Sequence, residues 1–238
     1  MTVDVSDLRD FYGSPLGQVT ARLITNRIQT LWPDLHQQRL LGVGYALPYL
    51  EPYLTKTERV LAFMPAQQGV LPWPTEERSL TALTYEATLP LPNQSIDRIL
   101  LVHSIEHAHN ISAYLRELWR VMTDNGRIIV VAPNRRSLWA QLDFTPFGQG
   151  QPYTMTQLRN LLKANMFMPI HETRGLYLMP SSSRLLLASN NILESLGDRV
   201  LRKFSGVICI EAMKQVYMNP PVHHARHHRR TIAQLAKI

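Results

Sequence analysis

The sequence predicts an α/β fold built on a mostly parallel sheet, and three stretches carry that prediction. Asp97-Arg98-Ile99-Leu100-Leu101-Val102 is a nearly continuous apolar run behind the turn signal Pro92-Asn93-Gln94-Ser95, which suits a strand buried on both faces. From Ile111 the apolar residues Leu115, Leu118 and Met122 recur at helical spacing, with Arg116, Glu117 and Arg120 on the other side. Asp124-Asn125-Gly126 is then expected to close that helix, and Ile128 to Ala132, stopped by Pro133, gives a second apolar strand. Strand, helix and strand in this order make a right-handed crossover. Its polar loop, His103-Ser104-Ile105-Glu106-His107, falls at the carboxyl ends of the strands, where open α/β sheets bind ligands.

The 238 residues, 45% of them hydrophobic, suffice for one α/β domain with a sizeable core. A formal net charge of +7 permits an anionic partner, but the arginines are spread through the chain and the dense basic cluster is terminal, so nucleic acid is not favoured. The single cysteine, Cys209, excludes an internal disulfide and points to a reducing compartment, read here as the cytoplasm. No apolar run approaches the ~20 residues of a membrane helix. Met1-Thr2-Val3-Asp4 lacks the basic-then-apolar form of a signal peptide, so no membrane partner is expected.

The order Leu89-Pro90-Leu91-Pro92, Ser95-Ile96-Asp97-Arg98-Ile99, Ile105-Glu106-His107, Leu115-Arg116-Glu117-Leu118-Trp119-Arg120-Val121-Met122 and Asn125-Gly126-Arg127-Ile128-Ile129 resembles class I S-adenosylmethionine (SAM)-dependent methyltransferases of the small-molecule type. The resemblance implies a Rossmann-like, seven-stranded, mostly parallel sheet with helices on both faces and a terminal antiparallel hairpin. It also implies SAM as cofactor and a small-molecule acceptor. One such domain is expected over residues 1–218, followed by a basic, His-rich tail over 219–238.

Taken in order, Ser14-Pro15 announces a helix whose apolar face is Leu16, Val19, Leu23, Ile24, Ile28 and Leu31, ended by Trp32-Pro33. In the family, the segment ahead of such a helix folds over the cofactor as a lid, within residues 1–33 here. That makes Tyr12 a candidate to touch SAM; equally, Phe11 and Tyr12 simply pack the helix onto the sheet. Arg39 to Ala46 reads as a short strand running into a glycine turn, and Gly42 and Gly44 let the backbone approach a ligand closely. Ala46 stands for the family's third glycine, and Leu40 stands where the family carries an acid. Pro48 and Pro52 keep the next helix short or irregular.

Arg59 to Met64 is the second strand. Met64 falls where nucleotide-type α/β folds place the carboxylate that accepts from the ribose hydroxyls; a methionine packs on the ribose or adenine face but cannot replace those bonds. Leu80 to Tyr85 is the third strand, and Glu86 is either an offset substitute for the family's adenine-side acid or a solvated carboxylate. The resemblance sets His103 against the cofactor's methionine portion. His103 and His107 are the candidates to take a proton from an acceptor, although many methyl transfers need alignment alone. Against this, Glu106-His107 orders the loop and caps the helix.

Residues 134–157 form the expected acceptor-side loop, with Asn134, Arg135, Trp139 and Phe147 as candidate substrate contacts and Arg135 suited to a carboxylate or phosphate. Thr154-Met155-Thr156-Gln157 is a capping box opening a helix. Phe167 to Glu172 and Gly206 to Ala212 are the last two strands, and 181–203 supplies one helix. The run His223-His224-Ala225-Arg226-His227-His228-Arg229-Arg230 lacks spaced carboxylates or cysteines, so no metal site is expected and a frayed end is the better reading. The expected activity is methyl transfer from SAM to a small acceptor. The acids missing at Leu40 and Met64 support a rival, a non-catalytic binding or regulatory module on the same scaffold. A third reading, an RNA or protein methyltransferase, is permitted by the charge. The acceptor's identity and the oligomeric state stay open.

Overall fold

The computed structural model describes residues 3–181, 194, 197 and 202–216. Its sheet has seven strands: β1 (Arg39–Gly44), β2 (Arg59–Pro65), β3 (Thr81–Thr84), β4 (Ile96–Val102), β5 (Met122–Pro133), β6 (Phe167–Gly175) and β7 (Val207–Lys214). Their order is β3-β2-β1-β4-β5-β7-β6. The pairs β3–β2, β2–β1, β1–β4 and β4–β5 are parallel, and β7 runs antiparallel to both β5 and β6. This is the mostly parallel sheet with a terminal antiparallel hairpin that the sequence predicts.

The helices α1 (Val5–Gly13), α2 (Pro15–Leu31), α3 (Leu47–Leu50), α4 (Ile111–Val121) and α5 (Met155–Ala164) cover it. Because side chains alternate across a strand, Leu40, Val60, Ala62, Leu100, Val102 and Ile129 pack with α1, α2 and α3 on one face. Leu41, Val43, Ile99, Leu101, Ile128 and Val130 pack with α4 and α5 on the other. Both faces being covered explains the continuous apolar runs. Trp32, the C-cap of α2, donates its Nε1–H to the buried Glu211 on β7 at 2.9 Å, which ties that end of α2 to the sheet.

Three details differ from the sequence reading. The chain ahead of Ser14 is a helix of its own, α1, capped by the Asp4 carboxylate accepting from Ser6 N at 2.8 Å, with Val5, Leu8 and Tyr12 buried. Asp124-Asn125-Gly126 does not close α4. The helix ends at Val121, and Met122 is already extended and pairs with Ile96. The next pair is Arg98 with Arg127, so β4 advances two residues while β5 advances five, and the turn-like tripeptide bulges out of an otherwise continuous strand. The cap of α4 is Asn110, whose side chain accepts from Ala113 N at 3.0 Å, not the Glu106-His107 pair. The capping box of Thr154 and Gln157 forms as expected. Of the helix expected between 181 and 203, Glu194 and Gly197 are described and are helical; the rest of that helix, and the tail from 219, lie outside the described residues. Among the described residues no helix is long and apolar enough to cross a membrane.

The sheet order reverses between β1 and β4, the topological switch point of such folds. There Gly44 pairs with Val102 and turns at φ 80°, and a Cβ on it would collide with the Val102 carbonyl oxygen. A Cβ on Gly42 would meet Leu50 Cδ1 at 2.5 Å and Ala46 Cβ at 2.9 Å.

Two stability measurements follow. Gly44→Ala combines a left-handed backbone, worth roughly 1–3 kcal/mol, with a steric collision, so its urea midpoint should fall sharply. Leu118→Ala, at a fully buried position of α4, should cost about 2–5 kcal/mol in the same assay.

Candidate cofactor and acceptor site

The site candidates converge where β1 and β4 end. His103 follows β4 in a left-handed conformation, φ 49°, and is 1% exposed. A histidine adopts that conformation at a cost, and such residues persist where surrounding contacts over-determine them. Here the contacts are plain. Glu106, also buried, accepts from Ser104 N at 3.0 Å through Oε2, while its Oε1 lies 3.4 Å from His103 Nδ1. That last distance is a close polar contact, longer than a full hydrogen bond. Burial alone would raise the Glu106 carboxyl, but His103 and then His107 beside it hold it below the usual carboxylate range. An ionised Glu106 assigns the His103 proton to Nδ1 and leaves Nε2 as an acceptor.

The partner of Nε2 comes from α1. Tyr12 Oη lies 2.7 Å from His103 Nε2 and 2.7 Å from Tyr49 Oη. Given the His103 tautomer, the Tyr12 hydroxyl donates to Nε2 and accepts from Tyr49. The Tyr12 ring stacks on Tyr45, centroids 5.4 Å apart and planes 15° off parallel, and meets Tyr49 edge-on. Tyr12, Tyr45 and Tyr49 are all buried, and burial, ahead of the neighbouring charges, pushes the Tyr12 hydroxyl well above its ordinary range. Phe147 closes the other side, 4.8 Å from the His103 ring, and is backed by Trp139 at 5.5 Å. The loop after β2 seals the floor: the Gln68 side chain donates from Nε2 to the His103 carbonyl at 3.3 Å, and the Gln68 main-chain carbonyl accepts from Val5 N at 2.8 Å.

Of the residues named from sequence, Tyr12, Gly44, His103 and Phe147 are therefore brought together. Ala46 is buried beside Gly42, and Met64 is fully buried in the core on the face that carries α1 and α2. Glu86 stands apart, accepting from His109 N at 3.4 Å, its carboxyl raised by burial. His107 is half-buried, its ring packed under Gly150 and its protonation disfavoured by burial. Asn134 donates to the Ser205 carbonyl at 2.8 Å, Arg135 to the Pro152 carbonyl at 3.1 Å, and Trp139 to the Leu178 carbonyl at 2.7 Å. These three hold the 134–157 loop in place. Tyr45 and Tyr49 are site residues that sequence reasoning misses; aromatics following a glycine turn are the available signal.

A methyl-donor nucleoside needs a hollow beside the glycine turn and a polar anchor at the end of β2. In this conformation the residues do not fit it. Tyr12 and Tyr45 fill the rim, Gly44 lies tight against Val102, and Met64 offers no hydrogen bond to a ribose. The cavity bordering α1 opens on the helix's other face, about 870 Å³ lined in part by Asp7, Asp10, Phe11, Ser14 and Phe144.

Comparison with known proteins gives the same architecture. Residues 42–130 match the family described as "Methyltransferase domain". No curated protein sequence matches the chain. Among solved structures, a SAM-dependent methyltransferase from Thermotoga maritima is similar at TM-score 0.65 and 14% identity, over 89% of this chain and 96% of that one. The 1,6-didemethyltoxoflavin-N1-methyltransferase of Burkholderia thailandensis, with 1,6-didemethyltoxoflavin and S-adenosylhomocysteine bound, is similar at TM-score 0.53 and 16% identity, over 85% of this chain and 79% of that one. The [4+2]-cyclase SpnF is similar at TM-score 0.58 and 16% identity, over 84% of each chain. SAM is the cofactor of the methyltransferase family. With residues 42–130 matching that family's domain and the sheet in this strand order, the chain has the fold of the class I SAM-dependent methyltransferases.

Proposed function

We propose that this chain uses the methyltransferase scaffold as a binding or regulatory module that works without the methyl donor and does not bind it. The observation that carries this reading is the Tyr12 ring inside the rim, hydrogen-bonded to His103 and Tyr49 at 2.7 Å each. Leu40 and Met64 support it, because both are fully buried apolar residues at positions where the family uses acids, and no motion of α1 would supply those carboxylates. A cytoplasmic location belongs to the same reading, supported by the single cysteine.

One observation favours a second reading, methyl transfer to a small acceptor. The occupant of the rim belongs to α1, a separate helix laid over the sheet edge, and its hydroxyl rests on an imidazole backed by a carboxylate, the pairing an acceptor hydroxyl would need to lose its proton. A small acceptor is preferred to RNA or protein, in line with the bound 1,6-didemethyltoxoflavin of the Burkholderia neighbour.

Calorimetric titration of the full chain with SAM and with S-adenosylhomocysteine separates the two. No saturable heat is expected for either. Micromolar binding, about −8 kcal/mol, would sink the first reading. If Tyr12→Ala alone gains that binding, the plug rather than the missing acids is decisive and the second reading stands.

A further inference from the structure

We propose that the aromatic box around Tyr12 is a binding site for a phenolic ring, and that Tyr12 is its resident occupant in the closed form. This rests on the reading that α1 closes the rim, and it names what the box itself recognises. The walls match a phenol in both shape and polarity. Tyr45 offers a parallel face 5.4 Å from the occupant ring, and Tyr49 and His103 offer edges at 6.0 and 5.8 Å. At the hydroxyl end stand two groups of opposite capability, an imidazole nitrogen that accepts and a tyrosine hydroxyl that donates, each 2.7 Å away.

Tyr49 is 0% exposed and His103 1%. Neither Tyr49 Oη nor His103 Nε2 has another hydrogen-bond partner among the described residues, so a ring without a hydroxyl would leave both orphaned. The box also lies at the switch point of the sheet, where ligands of this architecture bind. Its occupant arrives on a helix whose opposite face borders a cavity of about 870 Å³, so α1 lies between the box and that cavity. A phenol entering as α1 leaves would rest its hydroxyl on His103, with Glu106 behind.

The test uses 4-methylphenol, with toluene as the ring lacking a hydroxyl. Tyr12→Ala should bind 4-methylphenol at least about tenfold tighter than toluene, the ratio expected from two buried hydrogen bonds. In the unaltered protein, 4-methylphenol and not toluene should accelerate amide exchange over residues 5–13. Equal binding of the two probes by the variant overturns the proposal. So does a variant that binds 4-methylphenol while the unaltered protein shows no change in α1 exchange, because Tyr12 is then only a structural side chain. If Tyr12→Ala does not fold, Tyr12→Phe keeps the ring and gives up the hydroxyl. It should release α1 at a 4-methylphenol concentration at least about tenfold lower than the unaltered protein needs, and an unchanged concentration overturns the proposal. SAM enters none of these measurements, so their outcome is independent of the donor titration.

Discussion

The arrangement at the rim depends on the contact between Gly44 and the Val102 carbonyl. Two parallel strands can come this close at the switch point because Gly44 carries no side chain and tolerates φ 80°. That contact fixes where the chain leaves β1, and therefore where Tyr45, Ala46 and the short helix α3 with Tyr49 must stand. It also brings the end of β1 against Ser104 and the His103 carbonyl. The glycines of the turn are filled by the protein's own atoms: Leu50 and Ala46 around Gly42, and β4 against Gly44.

Electrostatics then determines which polar groups survive at the rim. A carboxylate as buried as Glu106 is costly unless it is bonded, and Ser104 N and the His103 ring offset that cost. The imidazole, so oriented, presents a lone pair that must itself be satisfied, and Tyr12 satisfies it. Each group answers the one behind it. This chain of buried polar side chains sits on a scaffold shared with proteins of different chemistry, a methyltransferase and a [4+2]-cyclase among them, so the fold does not set the reaction.

Much of this architecture was legible in the sequence because periodicity reports burial. The runs around β4 and β5 are apolar on both faces, and the stripe of α4 through Leu115 and Leu118 is unambiguous. The signal for α1 is present in the sequence, since Asp4 is a cap and Val5, Leu8 and Tyr12 fall at helical spacing, but Ser14-Pro15 is the stronger start signal and masks it. The bulge at Asp124-Asn125-Gly126 is less legible, since a bulge and a turn use the same residues and only the cross-strand register tells them apart. His103 could be read as a rim residue from its place after an apolar strand. Its partners could not, because Tyr12 stands 91 positions away and no local pattern encodes that contact. Asn134 and Trp139 looked like substrate contacts from their loop, yet their polar groups are consumed by main-chain carbonyls at Ser205 and Leu178. Composition cannot tell a loop that binds from a loop that must be held.

The junction between α1 and α2 carries a mechanical consequence. One extended residue, Ser14, serves as the C-cap of the first helix and the N-cap of the second, and Gly13 before it has open space around its Cα. The far end of α2 is pinned through Trp32 to Glu211. Any displacement of α1 therefore resolves into rotation of a nine-residue rod about a fixed pivot, and the rod's length, about 13 Å, sets the aperture through which a guest can enter.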